Sequence, residues 1–349
     1  MPIGIEDYPR DLLLLVQGEP EEGKTTVVMQ LLDGVCELNG QPWELRVVDL
    51  DRNLLPGVFK WGSKELKDAE ALRRLWYINV DEALKLSQHG FVKVDGTARG
   101  WPQLMDLQTR WKEGKGVEAI ADEPYSSWPP NRVVVIDGLT LMGDLAYLHE
   151  KASAAGGFRT PGGELKSWMP ADFGVVQQLM YDYCLGWKYM SGRQFPVVIT
   201  CHMASLSINL SKQVTDDEIE AAQSSKIAKQ ELLKKASDIG NAMNSVQTIR
   251  MFPVIPGNKL SRQFKRLFYS VWVERQAVTG RPMVHTVPTE RYSCRVPPGL
   301  AATLNGEDGI SRVLNSIQQI GRGASAPRQP GGGATAPGGE AADAAPTGE

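Results

Sequence analysis

Residues 12–32 constrain this chain most: the apolar run Leu12-Leu13-Leu14-Leu15-Val16 leads through Gln17 into Gly18-Glu19-Pro20-Glu21-Glu22-Gly23-Lys24-Thr25 and then a helical pattern. An unbroken apolar run bounded by glycine reads as a buried strand. Val28, Leu31, Leu32 and Val35 recur at helical spacing, which predicts a helix opened by Thr25 that buries them against a sheet. Gly-x-x-x-x-Gly-Lys-Thr between a strand and a helix is the pattern of a phosphate-binding loop. Its chemistry requires that order, because the turn aims backbone N–H groups and the first helical turn at a phosphate chain. Gly18, Glu19, Pro20, Glu21, Glu22, Gly23, Lys24, Thr25 and Thr26 are therefore the expected nucleotide-binding residues. Lys24 is expected to reach the β and γ phosphates, and the Thr25 hydroxyl to hold Mg²⁺.

The remaining pattern predicts an α/β protein with a mostly parallel sheet flanked by helices. Leu45-Arg46-Val47-Val48-Asp49 reads as a second strand, ending in Asp49-Leu50-Asp51 before a Pro56-Gly57 turn, and Leu75 to Val80 as a third. Trp101 to Trp111 reads as a covering helix, its tryptophans assigned to the core. Arg132-Val133-Val134-Val135-Ile136-Asp137-Gly138 is a strand ending in an acid, so Asp137 is expected beside the loop, accepting from Thr25 or from a Mg²⁺-bound water. Ala152 to Pro170 reads as a Gly-rich loop, with a helix from Asp172 carrying Val175, Val176, Leu179, Met180 and Tyr183 on one face. Phe195 to His202 is another buried strand. Ser205 to Asn244 is long and polar, helical over Glu218 to Ala236, and stands as either a solvated insertion or a partner-binding loop. Ser245 to Met251, Arg266 to Glu274 and Met283 to Val287 alternate as an antiparallel extension would, and Ile310, Val313, Leu314 and Ile317 mark a last helix. The Ala/Gly/Pro-rich residues 322–349 cannot bury enough surface to order, giving an expected division into a core over 1–300, a helix over 301–321 and a disordered tail.

Composition narrows the partners. The formal net charge of −3 provides no general attraction for nucleic acid, so any such contact must be local. Cys36, Cys184, Cys201 and Cys294 are widely spaced without a CxxC pair, as in a reduced protein without a zinc site. No apolar run approaches the roughly 20 residues of a membrane span. Met1 to Arg10 lacks the regions of a signal peptide, and the expectation is a cytoplasmic protein with no membrane partner.

The order of these landmarks resembles the RecA-like ATPases: Gly18 to Thr25, Val47 to Asp51 on the next strand, Val133 to Asp137, a helix, then Val197-Val198-Ile199-Thr200-Cys201-His202. More narrowly it looks like the phage-encoded AAA-domain nucleotide-binding proteins related to phage RecA-type recombination and annealing factors. In these the last strand ends in Thr-x-His, and a segment like Pro253-Val254-Ile255-Pro256-Gly257-Asn258-Lys259 precedes the closing strands. The resemblance covers about Leu12 to Val296 and implies a RecA-like P-loop NTPase core with antiparallel closing strands. It places Asp51 where the family has the acid, usually Glu, that polarises the attacking water. Asp49 is the alternative, and the shorter side chain implies either an inward loop or slow hydrolysis. It places His202 where the family has a γ-phosphate sensor, the other reading being a histidine capping a strand. Thr289-Glu290-Arg291 falls at the family's Lys-x-Arg pair without its Lys, so Arg291 is either a finger inserted into the next subunit's site or a surface arginine.

By the same resemblance, Ala152 to Pro170 and Ser205 to Asn244 lie where these proteins contact DNA. Lys151, Arg159, Lys166 and Trp168 in the first combine phosphate contact with base stacking; Lys212, Lys226, Lys229, Lys234 and Lys235 in the second are diluted by acidic neighbours. The implied function is a Mg²⁺-dependent ATPase acting on single-stranded DNA in recombination or replication, assembled as a homo-oligomeric ring or filament in the host cytoplasm if phage-encoded. A DnaB-type helicase or other translocating motor shares every nucleotide-site residue named, and a nucleotide-gated scaffold with weak hydrolysis is a further alternative.

Overall fold

The computed structural model describes residues 12–52, 54–60, 65–80, 84–86, 92–94, 99–111, 124–153, 170–190, 194–208, 230, 248–253 and 265–320. Residues 154–169 of the loop assigned to Ala152–Pro170, most of Ser205–Asn244, the Pro253–Lys259 segment after its first residue and the tail lie outside them; Ala152 and Pro170 themselves fall in helices.

The chain enters as β1 (Leu13–Gly18), every residue of which is buried, and crosses the phosphate-loop pattern into α1 (Lys24–Met29). That helix is shorter than the apolar spacing predicts. It tightens into a 3₁₀ turn at Gln30–Asp33, Gly34 ends it, and Val35 begins β2 (Val35–Cys36) half exposed, paired with β3 (Gln41–Pro42). Gly34 has no room for a side chain, since a Cβ there would lie 2.7 Å from Ser311 Oγ. β4 (Glu44–Asp49), α2 (Leu54–Gly57), α3 (Ala69–Arg73) and β5 (Leu75–Asn79) follow, then a small hairpin of β6 (Leu84–Leu86) and β7 (Val92–Val94) and the helix α4 (Gly100–Thr109). β8 (Arg132–Asp137) leads into α5 (Leu139–Ser153). α6 (Pro170–Tyr189) starts two residues before the expected Asp172, and Val175 on it is exposed rather than core-facing. β9 (Val197–Ile208) runs well past His202 into the expected polar stretch, where β10 (Thr248–Pro253) pairs with it antiparallel. The chain closes with β11 (Tyr269–Arg275), β12 (Pro282–His285), β13 (Thr303–Asn305) and α7 (Gly309–Ile320).

Among the described residues the main sheet has the order β13-β12-β11-β1-β9-β8-β4-β5, with β10 branching from β9. From β11 to β5 every neighbouring pair is parallel. One closing strand therefore differs from expectation: β11 joins β1 in parallel, whereas β10 pairs antiparallel with β9 and β12 and β13 extend the sheet antiparallel. The physical reason is burial on both faces, which Ser270, Val271, Trp272 and Val273 share with the central strands, a continuous run rather than an alternation. One face is covered by α1 to α3 and α7, with Val27, Val28, Leu54, Ala71, Val313 and Ile317 in a common core. The other is covered by α4, α5 and α6 through Trp101, Leu104, Met142, Met180 and Trp187, so the tryptophans are core as expected. No described helix is long and apolar enough to cross a membrane.

One buried cation anchors α1 from behind. The ammonium of Lys67, with no exposed side-chain surface, donates to Met29 O (2.8 Å), Gln30 Oε1 (2.9 Å) and Asp33 Oδ2 (2.7 Å), where the last carbonyls of a helix concentrate negative potential. Lys67→Ala should cost about 1–3 kcal/mol, since it strands Met29 O and Gln30 Oε1 in the interior while the half-exposed Asp33 can turn to water. A drop in urea midpoint with unchanged slope checks it.

Candidate functional site

Gly18, Asp49, Asp137 and Thr200 reach one sheet edge because the register aligns them: Gly18 opposite His202, Asp137 opposite both Asp49 and Thr200. In an open parallel sheet this carboxyl-terminal edge is where ligands bind. After Gly18 the chain turns through Glu21 (φ 66°) and Gly23 (φ 88°), both left-handed, before α1 begins at Lys24. Glu21 holds that costly conformation with help from Arg275 at the end of β11, whose Nε donates to Glu21 O (2.8 Å) while its backbone N–H donates to the Glu22 carboxylate.

The Lys24 ammonium is turned back over the loop, donating to Glu19 O (2.6 Å) and Gly18 O (3.2 Å). The residue is 5 % exposed, and burial lowers its pKa against the opposing pull of Cys201, Asp137, Asp51 and Glu22. Thr25 Oγ1 donates to Asp137 Oδ2 (2.9 Å) across 112 residues of chain. Asp137 also accepts from Thr200 Oγ1 (2.5 Å), which in turn accepts from Gly138 N (2.9 Å). Burial raises the Asp137 carboxyl to about 6; the two threonine hydrogen bonds lower it, and the charges of Asp51 and Asp49 raise it. Three acidic side chains thus share a buried strand edge with a single described ammonium, that of Lys24.

Asp51 lies past the end of β4, and its carboxylate meets His202 Nε2 at 3.4 Å, with 13 % and 32 % of the two side chains exposed. The sequence indicates no such pairing. Asp49, the alternative acid, is 4 % exposed within the strand. Gly138, left-handed at φ 120°, makes the Asp51 position available: a Cβ there would lie 2.5 Å from Asp51 Oδ1. Arg291, read as either a finger for the next subunit's site or a surface arginine, pairs in this chain with Glu19 of the phosphate-loop segment. In the sequence Gly138 and Thr200 read only as parts of strands; Arg275, 253 and 254 residues from the two loop glutamates it braces, carries no local signal. Among the described residues no group of three or more His, Cys, Asp or Glu could hold a metal ion by itself.

The buried charge of Asp137 has a measurable cost. Between the ordinary value of 3.8 and about 6 the folded chain keeps a proton that the unfolded chain releases, so ligand-free stability falls as pH rises through that window and then levels. The full shift corresponds to roughly 3 kcal/mol. Asp137→Asn, which sacrifices part of the threonine network, should therefore be about 1–2 kcal/mol more stable than the wild type at pH 7.5 and no more stable at pH 4. Calorimetry of the metal- and nucleotide-free proteins at both pH values checks this.

The chain matches no protein-family model and no curated protein. Fold and site together define an α/β protein with a large, mostly parallel sheet whose carboxyl-terminal edge gathers Lys24, Thr25, Asp51, Asp137 and His202.

Proposed function

We propose that this protein binds and hydrolyses ATP on a RecA-like P-loop core and acts on single-stranded DNA in recombination or replication, resembling the phage-encoded AAA-domain nucleotide-binding proteins. The observation that carries the reading is the convergence of Lys24, folded onto the loop carbonyls, with a Thr25 hydroxyl bonded to a buried Asp137. Burial raises that carboxyl to about 6 beside Lys24, and carboxyls perturbed in this way cluster at functional sites.

The roles follow from chemistry. Lys24 exchanges its carbonyl partners for the β and γ phosphates. Thr25 and Asp137 present hard oxygens suited to Mg²⁺, which is held chiefly by phosphate and water and needs no protein cage. When bound, it offsets phosphate charge. Asp51 accepts a proton from a water whose oxygen bonds to the γ phosphorus, while the bond from that phosphorus to the β–γ bridging oxygen breaks, giving ADP and phosphate. His202 orients the Asp51 carboxylate at 3.4 Å.

The deciding experiment is Mg²⁺-dependent ATP turnover with and without single-stranded oligonucleotide. Stimulation by DNA supports the reading; turnover indifferent to DNA, with no more DNA affinity than an unrelated acidic protein, favours a nucleotide-gated scaffold, and absence of nucleotide binding defeats it. Trp168→Ala should weaken DNA binding by about 1–3 kcal/mol with little change in salt slope, whereas Arg159→Ala with Lys166→Ala should flatten that slope by up to about two units. Fluorescence anisotropy across a salt series separates the two.

A further inference from the structure

The loop before Lys24 carries three carboxylates, Glu19, Glu21 and Glu22, a repulsive approach for a nucleoside triphosphate. Two arginines, one ending β11 and one in the turn after β12, meet it, and they are not alike. Arg275 is committed to the scaffold: it holds Glu21 O at 2.8 Å, Gly280 O at 2.8 Å and, through its backbone, Glu22. Arg291 makes an ion pair with the Glu19 carboxylate, with 51 % and 37 % of the two side chains open to water.

The mount of Arg291 is built by its own chain. Thr289 N donates to Tyr292 O (2.9 Å), and Thr289 Oγ1 accepts from the backbone of Arg291 (3.2 Å) and Tyr292 (3.3 Å). The Tyr292 ring then lies flat on Trp272 of β11, with centroids 4.6 Å apart and planes 1° from parallel. Gln17 of β1 donates to Ser293 O at 3.4 Å. This turn is therefore rooted on β1 and β11, the two strands that flank the loop. Glu19 supplies both contacts that matter: its carbonyl takes the Lys24 ammonium at 2.6 Å, and its carboxylate takes the Arg291 guanidinium. The two cations are thus separated by a single residue.

We propose that Arg291 acts within its own subunit, held on Glu19 in the nucleotide-free chain and transferred to the terminal phosphate when ATP binds. An exposed carboxylate pair is weak, and a phosphate offers the same fork-shaped acceptor with more charge, so the exchange runs downhill. ADP lacks that phosphate and leaves Arg291 on Glu19. The arrangement selects triphosphate over diphosphate without a neighbouring subunit. The inference rests on the nucleotide-site reading above.

The test measures affinities for ADP and a non-hydrolysable ATP analogue by nucleotide fluorescence, at protein concentrations below and above assembly. Arg291→Ala should lose about tenfold or more for the triphosphate and less than about twofold for ADP, equally at both concentrations. Glu19→Gln should tighten the triphosphate and leave ADP unchanged, a sign that a mere brace on the loop would not produce. Arg291→Lys, a point charge without the fork, should fall between wild type and Ala. Equal loss for both nucleotides in Arg291→Ala, or weaker triphosphate binding in Glu19→Gln, overturns the proposal in favour of a brace. A defect that appears only in assembled protein, and is repaired by admixed Lys24→Ala subunits, overturns it in favour of action on a neighbour. A folded wild type that binds neither nucleotide removes the underlying reading before any variant is made.

Discussion

Lys24→Ala should abolish ATP turnover, lowering it by about 10³-fold or more, while the chain stays folded. The ammonium donates to the loop carbonyls, at 2.6 Å from Glu19 O and 3.2 Å from Gly18 O, and feels the charges of Asp137 and Asp51 at the carboxylate edge. A bound triphosphate would lose its charge-assisted contacts, weakening nucleotide binding by about 10- to 100-fold. The fold should tolerate the change. Burial lowers the Lys24 pKa, so the folded chain binds that proton less readily than the unfolded one, and the charge costs the ligand-free fold stability at neutral pH. A melting temperature near that of the wild type, with turnover at background, is the expected pair of results. Undiminished turnover in the purified variant defeats the nucleotide assignment; a collapsed melting temperature assigns Lys24 to folding.

The parallel core was legible because strands buried on both faces advertise themselves. Leu12 to Val16, Val133 to Ile136 and Val197 to Ile199 are apolar at consecutive positions, and each is buried throughout. The closing strands were harder to read. Tyr269 to Arg275 mixes Ser270 and Glu274 with apolar residues, so it reads as alternation, yet Ser270 is 3 % exposed and the strand lies parallel to β1. Val35 fits the helical spacing of α1 but lies beyond Gly34, where packing against Ser311 ends the helix. That stop is set by a residue 277 positions away. Local spacing cannot register it.

The site divides along the same line. Residues carried by a motif, Lys24, Thr25 and Asp137, could be named because the loop chemistry fixes their spacing and strand context. Contacts made by tertiary closure could not. The Asp51–His202 pair joins the end of β4 to β9, and the Arg291–Glu19 pair spans 272 residues. Gly138 is the instructive intermediate, since a glycine after a strand-ending acid is visible in the sequence, but its reason, clearance for the Asp51 carboxylate where a Cβ would lie only 2.5 Å from Oδ1, exists only in the fold.

That clearance leads to the second large effect. Asp is one methylene shorter than the glutamate that the resemblance leads one to expect, and the absence of a side chain at Gly138 lets the Asp51 carboxylate sit inward, against His202. Asp51→Asn should therefore preserve nucleotide binding and lower turnover by about 10²-fold or more, because the amide cannot accept the water proton. Gly138→Ala reaches the same group by another route: a methyl in a left-handed backbone, 2.5 Å from Asp51 Oδ1, must displace the carboxylate. It should lower turnover while leaving Asp51 chemically intact, and combining it with Asp51→Asn should add little, since both remove one function. His202→Ala, which frees Asp51 without neutralising it, should cost less than Asp51→Asn. Steady-state and single-turnover kinetics with nucleotide affinities measured in parallel decide the matter. Equal loss of binding and turnover in Asp51→Asn would place Asp51 with Thr25 and Asp137 in binding, and strictly additive losses for Asp51→Asn and Gly138→Ala would separate the glycine from the base.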